Sequence, residues 1–444
     1  MKKLLILAAS AALVLTSCVK THDTHKTTGP GDAVTFGVYT GRTAEVKATY
    51  GDITTANIVD SDDGFGVFAY YTKKYDWANN DQDWDGSVAG DQTFGEATIP
   101  NFMYNQQVKY NASANTTLYP AKWEYTPLKY WPNGQNSSSE VENYTAAATS
   151  ADKVTFFAYA PHIATASLGT VPASGEGITA MSNNYDKGVP TVTFTVPTNA
   201  KQQIDLLYAT PKYNQTKKNL DGKVAFTFNH ALSKLNYQVQ AVVDDVPANA
   251  PTSNLTNDGD ATLEADETMI ILKSLVINVA GAKTGTLNLA TGAWTLPGSP
   301  VDSEISYDID AINFGKETGN SYDASTNSIA ITPVTGANGF NVLEAIHDIN
   351  SKISPMIIPG TVAAGDLSVT ADYYVITYDT ALAAGYSIVE NKITAVNTAA
   401  INFRQGKKHN MIVRIGLNSV DFNVAGVEDW SETSGAEIDL PANS

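Results

Sequence analysis

The amino-acid sequence predicts an all-β protein of the antiparallel β-sandwich type, and three observations support this class. Short runs that alternate between apolar and polar residues recur along the chain, separated by turn residues. Charged residues make up 17% of the 444 residues, below the roughly 25% of ordinary globular domains. Helical spacing of apolar residues is rare, and its best case, residues 340–349, predicts one short helix packed on a sheet.

The chain opens with a signal for export. Two lysines at positions 2 and 3 precede an apolar run over 4–15, which is shorter than the about 20 residues of a membrane span. The segment LTSC at 15–18 then resembles a bacterial lipobox, in which Cys18 is lipidated and becomes the first residue of the mature chain. Cys18 is the only cysteine, so we expect no intramolecular disulfide. The alternative, a buried core cysteine, has nothing around it that would pack as a domain.

A polar tether and a first strand follow. Residues 19–33 contain Gly and Pro without helical or strand periodicity, which predicts a flexible tether. From there, Val34, Phe36 and Val38 alternate with polar or small residues. We therefore expect a half-buried strand over 34–39 that turns these three side chains towards the core.

The folded body continues with further alternating runs at 66–71, 154–159, 191–196 and 224–228. The segment PKYNQTKKNLDG at 211–222 interrupts this pattern with Pro, Asn and Gly. We therefore expect a domain boundary there, with one domain over 43–218 and a second over 219–444.

The second half contains two further signals. GTLNLATGAWTL at 285–296 predicts a hairpin with its turn at 291–292. Residues 411–417 and 420–424 alternate in opposite phases, which predicts a bulge or a change of sheet at 418–419.

The charge balance and the missing motifs exclude several functions. The chain has 28 basic and 46 acidic residues, a net charge of -18, and so lacks the excess of Lys and Arg that phosphate backbones require. We expect no nucleic-acid partner. No HExxH, GxSxG or phosphate-binding glycine loop occurs, and His22 and His25 lie in the predicted tether. A single sequence does not exclude the two carboxylates of a glycosidase, but nothing in it indicates an enzyme or a cofactor.

One acidic segment has the spacing of a metal loop. Asp81, Asp83 and Asp85 match the alternating carboxylates of a calcium loop, with Gly86 at the sharp turn. Gln92 stands where an EF-hand has its bidentate glutamate, and no flanking helices are evident. We interpret the segment as an acidic surface loop, and the three aspartates are the alternative candidates for metal ligands.

Aromatic residues are dense between positions 75 and 131. They are Tyr75, Trp77, Trp84, Tyr104, Tyr110, Tyr119, Trp123, Tyr125, Tyr130 and Trp131. Such rings commonly pack in a core, but beside amides they also stack on sugar rings. A surface glycan-binding lipoprotein with tandem β-sandwich domains is therefore an alternative function.

Several segments together resemble the fimbrillin family of Bacteroidales, the subunits of type V pili. In chain order they are LTSC, VTFGVYTGRTA, GFGVFAYY, VTFFAYAPH, VAFTFNHALSKLNYQV, GTLNLATGAW, MIIPG and FRQGKKHNMIVRIGL. The most specific are FNHALSKL and the lipobox with its nearby arginine. That arginine is Arg42, one of only three in the chain, in the predicted loop after the first strand.

The resemblance implies two tandem transthyretin-like β-sandwiches that assemble by strand exchange. In this family, a trypsin-like protease cuts after an arginine near the N-terminus and releases the lipidated segment together with the first strand. On this chain the cut falls between Arg42 and Thr43, and the lost strand carries Val34, Phe36 and Val38. The protease is therefore expected to be arginine-specific, and the residues around the site do not identify it further.

Loss of the first strand leaves a groove in the sheet. The resemblance implies that this groove receives a strand from another copy or from a related pilin. The first candidate for this donor strand is 420–427, with Val420, Phe422 and Val424, and the second is the C-terminal tail, with Ile438 and Leu440. A stalk or tip subunit is implied, because an anchor needs a donor strand but no opened groove. The expected location is the outer membrane for the lipidated precursor and a cell-surface fimbrium thereafter, with a host receptor or glycan as the adhesion target.

Overall fold

A computed structural model describes residues 33–39, 62–73, 77, 98–119, 121–132, 153–199, 202–217, 223–241, 268–281, 283–297, 304–309, 312–313, 321–323, 328–330, 347–348, 355–378, 382–383 and 386–430. Within these residues, the regular structure consists of β-strands and one short 3-10 helix, Thr165–Ser167. No helix in this part of the chain is long and apolar enough to cross a membrane. The all-β prediction is confirmed.

The strands of the N-terminal half, in chain order, are β1 Thr35–Tyr39, β2 Phe65–Lys73, β3 Met103–Tyr110, β4 Trp123–Glu124, β5 Lys153–Ala160, β6 Gly177–Met181, β7 Thr191–Thr195, β8 Leu207–Ala209, β9 Lys212–Gln215 and β10 Lys223–His230. Those of the C-terminal half are β11 Ser233–Ala241, β12 Thr268–Ala280, β13 Thr284–Asn288, β14 Trp294–Thr295, β15 Glu304–Ile309, β16 Ile312–Asn313, β17 Ser321–Asp323, β18 Ser328–Ala330, β19 His347–Asp348, β20 Met356–Ile357, β21 Gly360–Val362, β22 Leu367–Tyr378, β23 Tyr386–Val396, β24 Ile401–Phe403, β25 Lys407–Ile415 and β26 Val420–Asp429.

Four large sheets organise the described strands. The first has the order β1-β10-β8-β5-β2-β3-β4, with β9 beside β5, and the second has the order β14-β13-β7-β6. The third runs β19-β11-β25-β26, with β20 beside β11, and the fourth runs β15-β12-β22-β23, with β16 beside β12. Two strand pairs, β17-β18 and β21-β24, complete the described structure.

Most neighbouring strands are antiparallel, but two described pairs are parallel. β1 runs parallel to β10, and β11 runs parallel to β25. A parallel pair needs a long crossover, and in both cases more than 150 residues of chain separate the two strands. These pairs therefore join distant parts of the sequence.

The central strand of the first sheet, β5, is buried on both faces. Val154 and Phe156 belong to one apolar cluster, whereas Phe157 and Tyr159 belong to another. The second cluster also contains Phe194 of the second sheet. Two sheets packed face to face through alternating side chains form the predicted β-sandwich.

The prediction of a short helix is wrong at the residues of that segment that the structure describes. Of the predicted helix over 340–349, only His347 and Asp348 are described, and they form β19. They pair antiparallel with Val239 and Gln238 of β11. Pairing with the backbone of β11 thus decides the conformation of these two residues, which local spacing of apolar residues does not reveal.

The predicted bulge or sheet change at 418–419 is also wrong. β25 and β26 form an antiparallel hairpin in which Ile415 pairs with Val420. The Gly416 amide donates a hydrogen bond to the Ser419 carbonyl at 2.8 Å and closes the turn. A hairpin turn and a bulge both shift the phase of alternation, so the pattern alone does not separate them.

Two sheets contain strands from both sides of the predicted domain boundary. β10 begins after residue 219 but pairs with β8, and β13 pairs with β7. Only residues 231–232 separate β10 from β11, which begins the third sheet. A division at 231–232 would keep the first sheet whole, and the position of the boundary stays a prediction.

Candidate functional site

The predicted removable strand lies at one edge of the first sheet. β1 pairs with β10 in parallel register from Thr35 opposite Lys223 to Tyr39 opposite Thr227. Its N-terminal end has a second attachment, because the Val34 amide donates a hydrogen bond to the Lys129 carbonyl at 2.9 Å. β1 is therefore held along one side by β10 and at one end by the segment after β4.

The three apolar side chains of the strand predicted over 34–39 are core residues. Val34, Phe36 and Val38 are 0%, 1% and 5% exposed. They belong to the cluster that also contains Val154 and Phe156 of β5. The period-two pattern thus gave their direction correctly, whereas their removal by cleavage stays a prediction.

Phe36 is the centre of an aromatic cluster. Its ring centroid lies 5.3 to 6.2 Å from the centroids of four other rings, those of Phe65, Tyr125, Phe156 and Phe226. Three of the four contacts are edge-to-face, and Phe226 is stacked. Edge-to-face and offset pairs contribute about 0.5 to 1.5 kcal/mol each beyond area burial.

Tyr125 ties the backbone of the strand to the core. Its hydroxyl donates a hydrogen bond to the Val34 carbonyl at 2.8 Å. Burial raises the pKa of Tyr125 well above its usual value, so the phenol stays protonated and keeps donating. Without residues 34–39, this buried hydroxyl would lose the shorter of its two hydrogen bonds and keep only the one that it donates to the Lys129 carbonyl at 3.2 Å.

This arrangement suits replacement of the strand by another one. Without β1, the edge of β10 would present unpaired backbone groups beside three empty apolar positions. A peptide strand with apolar residues at alternate positions satisfies both requirements by β-strand addition. Each filled position contributes about 1.5 to 3 kcal/mol.

The first donor candidate is already part of a sheet in its own chain. β26 pairs with β25 at nine positions, from Val420 opposite Ile415 to Asp429 opposite Lys407. Val420 is 9% exposed, and Phe422 and Val424 pack against the large apolar cluster. Using this strand as a donor would break that hairpin.

Trp430 is the last described residue before the C-terminal tail, and two contacts hold it in place. Its ring stacks on His230 with centroids 4.1 Å apart, and its amide donates a hydrogen bond to the Gly406 carbonyl at 3.0 Å. His230 is held in turn by buried Asp205, with 2.9 Å between Nδ1 and Oδ2. Because His230 ends β10, the tail begins at one end of the strand that holds β1.

Several predicted site residues lie outside the described residues. They are Cys18, Arg42, Thr43, Asp81, Asp83, Asp85, Ile438 and Leu440. The part of the chain that the structure describes contains no group of three or more His, Cys, Asp or Glu side chains placed to hold a metal ion.

The described aromatic residues between 77 and 131 are core or half-buried residues. Trp77, Trp123 and Trp131 are 6%, 5% and 3% exposed. Sequence reasoning placed Tyr125 among these rings and Phe226 on a strand, but it did not place either beside Phe36. No local signal gives that contact, since it depends on which strands become neighbours.

Comparison with known proteins gives concordant matches. A model of fimbrillin-like proteins matches residues 53–430, a span that begins after β1 and Arg42. The chain is 28% identical to the fimbrium subunit Fim1C of Phocaeicola vulgatus over 449 positions, which cover 98% of each chain. Its fold is similar to the crystal structure of a fimbrial protein from Bacteroides vulgatus, with a TM-score of 0.54 and 23% identity, covering 90% of this chain and 99% of that one.

Proposed function

This chain belongs to the fimbrillin-like family, and on that premise we propose that it is exported as a lipoprotein, cut after Arg42 and polymerised by donor-strand exchange. The product is a cell-surface fimbrium that mediates adhesion, in which the chain is a stalk or tip subunit. Its partners are copies of itself or related pilins, an arginine-specific protease, and the outer membrane before cleavage. The role is structural and uses no catalytic residue.

One observation carries the proposal. β1 is the first described strand and lies at a sheet edge, and the side chains of Phe36 and Val38 on it and of Val34 directly before it are buried in the core. A single cut at Arg42, three residues after β1 ends, separates it from the rest of the folded chain without interrupting another described strand. One peptide bond thus controls whether the groove is filled or open.

Lipidation at Cys18 would hold the precursor at the membrane. Each buried methylene of an acyl chain contributes ~0.8 kcal/mol, and two or more chains give stable anchoring. Cleavage at Arg42 removes the anchor and β1 in the same step. The N-terminal residue of protein taken from cells distinguishes the two forms, since the precursor starts at Cys18 and the processed subunit at Thr43.

The two donor candidates differ in what their release costs. Freeing β26 breaks nine paired positions with β25 and exposes Val420. The tail after Trp430 carries Ile438 and Leu440 at alternate positions, and its use leaves that hairpin intact. The observed pairing therefore favours the tail, with 420–427 as the alternative.

The test is cleavage followed by assembly. The chain from residue 19 is incubated with an arginine-specific protease, and the product is analysed by N-terminal sequencing and by SDS gel without boiling. We expect a new N-terminus at Thr43 and a ladder of SDS-resistant polymers. Arg42→Ala should remain uncut and monomeric.

Arg414→Ala is the matched control, because Arg414 is a partly exposed arginine on β25 whose only described ion pair is with Asp421 at 3.2 Å. It should be cut at Arg42 and assemble like the parent chain. Polymers of Arg42→Ala, or a cleaved parent that stays monomeric, would refute the proposal.

A further inference from the structure

A polar cleft lies beside β3, on the N-terminal half of the chain. Its volume is about 550 Å³, within the roughly 300 to 1,000 Å³ of ligand-binding clefts. Residues of β3 and β4 line it together with the segment after β5. We propose that this cleft binds a neutral saccharide, a property that does not depend on strand exchange.

A backbone irregularity builds one wall of the cleft. Val67 of β2 pairs with Gln106, but Ala69 pairs with Met103, so β3 contains an extra residue at this point. Asn105 lies in this bulge and has φ of +43°, a conformation that non-glycine residues rarely adopt. As a result, four consecutive residues, 104–107, line the cleft, whereas a regular strand presents only every second side chain to one face.

Buried contacts hold the bulge in place. Asn105 Oδ1 accepts a hydrogen bond from the Tyr159 hydroxyl at 2.7 Å, and Asn105 Nδ2 donates one to the Ile163 carbonyl at 2.8 Å. Tyr159 is fully buried. A strained residue fixed from both sides by the surrounding fold is a feature of binding sites.

Three side chains that line the cleft, those of Gln106, Gln107 and Glu124, have hydrogen-bonding groups left for a ligand. Gln106 Nε2 donates to the Thr126 carbonyl at 3.1 Å, and Gln107 Nε2 donates to the Asp63 carbonyl at 2.9 Å. Glu124 Oε2 accepts from Asn111 at 2.7 Å. Among the described residues, none donates a hydrogen bond to Oε1 of Gln106, Gln107 or Glu124. Acceptors held by fixed side chains suit the hydroxyl groups of a sugar.

The charges in the cleft balance, which favours a neutral ligand. Lys109 and Glu124 are directly opposite each other on β3 and β4 and supply one charge of each sign. Burial lowers the pKa of His162 to about 4, so its ring is uncharged at neutral pH. A sialylated or sulfated glycan would meet no excess of positive charge there.

Two tyrosines give the cleft its apolar surface. The Tyr104 hydroxyl donates to the Ser182 carbonyl at 3.0 Å, and the Tyr119 hydroxyl donates to the Tyr125 carbonyl at 2.9 Å. Both rings are therefore fixed in orientation while part of their surface stays accessible in the cleft. A fixed aromatic ring stacks against the C–H face of a sugar at low entropic cost.

The experiment uses the uncleaved chain from residue 19, so its result is independent of proteolysis and polymerisation. Binding is first measured on an array of neutral plant, fungal and mammalian oligosaccharides, with sialylated and sulfated counterparts of the mammalian ones. The best neutral oligosaccharide is then titrated by calorimetry against the parent chain and three variants. Thermal unfolding of each variant confirms that the fold is intact.

Glu124→Gln keeps an oxygen for Asn111 but replaces the carboxylate, and it should raise Kd about tenfold. Lys109→Ala removes an exposed cation of the cleft and should raise Kd several-fold. Lys187→Ala, an exposed lysine outside the cleft, should leave Kd unchanged. The proposal is overturned if no neutral oligosaccharide binds, if anionic glycans bind in preference, or if both cleft variants bind as well as the parent chain.

Discussion

The ring of Phe36 on β1 stacks on the ring of Phe226 on β10, with centroids 6.0 Å apart and planes 11° apart. These strands are parallel neighbours, and Phe226 itself pairs with Val38. The two rings therefore join the first described strand to the strand whose edge it covers. Phe36 is 1% exposed, so the core on this side of the sheet is complete only while β1 is present.

Phe36→Ala should destabilise the uncleaved chain strongly. Removal of a buried phenylalanine ring typically costs about 3 to 5 kcal/mol, because both burial and packing are lost. Thr35→Ala is the matched control, since Thr35 is on the same strand but only half-buried. Urea unfolding followed by tryptophan fluorescence measures both. Equal destabilisation by the two substitutions would mean that Phe36 does not support the core.

The donor proposal predicts a difference between two faces of the tail. In an extended strand, Ile438 and Leu440 point to one side and Asp439 to the other. Ile438→Asp with Leu440→Asp should leave the cleaved chain monomeric, because charged side chains do not fill apolar positions. Asp439→Asn should polymerise normally.

Size-exclusion chromatography after cleavage measures this difference. Phe422→Asp is tested in parallel. If the double variant assembles like the parent while Phe422→Asp does not, and thermal unfolding shows that Phe422→Asp is still folded, the donor is 420–427 rather than the tail.

The sequence shows which face of a strand is buried more reliably than it shows which strands lie side by side. Alternation correctly gave the buried positions of β1, and the segment at 285–296 forms the hairpin β13-β14. The parallel pairing of β1 with β10 was not predictable, because alternation reveals which face is buried but not which strand lies alongside. The polar cleft was missed for a related reason, since the bulge at Asn105 depends on how β2 and β3 pair.

Gly292→Ala should destabilise the protein, because Gly292 lies at the turn of the β13-β14 hairpin. Gly292 has φ of +70°, where an alanine costs about 1 to 2 kcal/mol, and an added Cβ would overlap the ring of Tyr208. The overlap adds about 1 to 3 kcal/mol. Gly175→Ala is the matched control, because Gly175 has φ of +80° with no atom within 4 Å of an added Cβ. Thermal unfolding should show a larger loss for Gly292→Ala, and equal losses would exclude the steric effect.

The buried side chain of His409 should make the fold less stable in mild acid. This residue is 1% exposed, and its Nε2 accepts a hydrogen bond from the Arg404 amide at 3.0 Å. Burial, with the nearby charge of Arg404, lowers the pKa of His409 to about 4 from an ordinary value of 6.5. Between these two values the unfolded chain binds the proton more readily than the folded one. Stability is therefore fully present above pH 6.5 and falls as the pH drops towards 4.

The loss from this group should be on the order of 1 to 3 kcal/mol across that window. His409→Gln supplies an uncharged side chain that still accepts the Arg404 amide bond, so the free energy of unfolding should depend less on pH between 6.5 and 4. His25→Gln, in the tether predicted from the sequence, is the control and should follow the parent chain. Urea unfolding at half-unit pH steps measures all three proteins. If His409→Gln and the parent lose stability in parallel, the protonation of His409 does not contribute, because the two proteins differ only at that group.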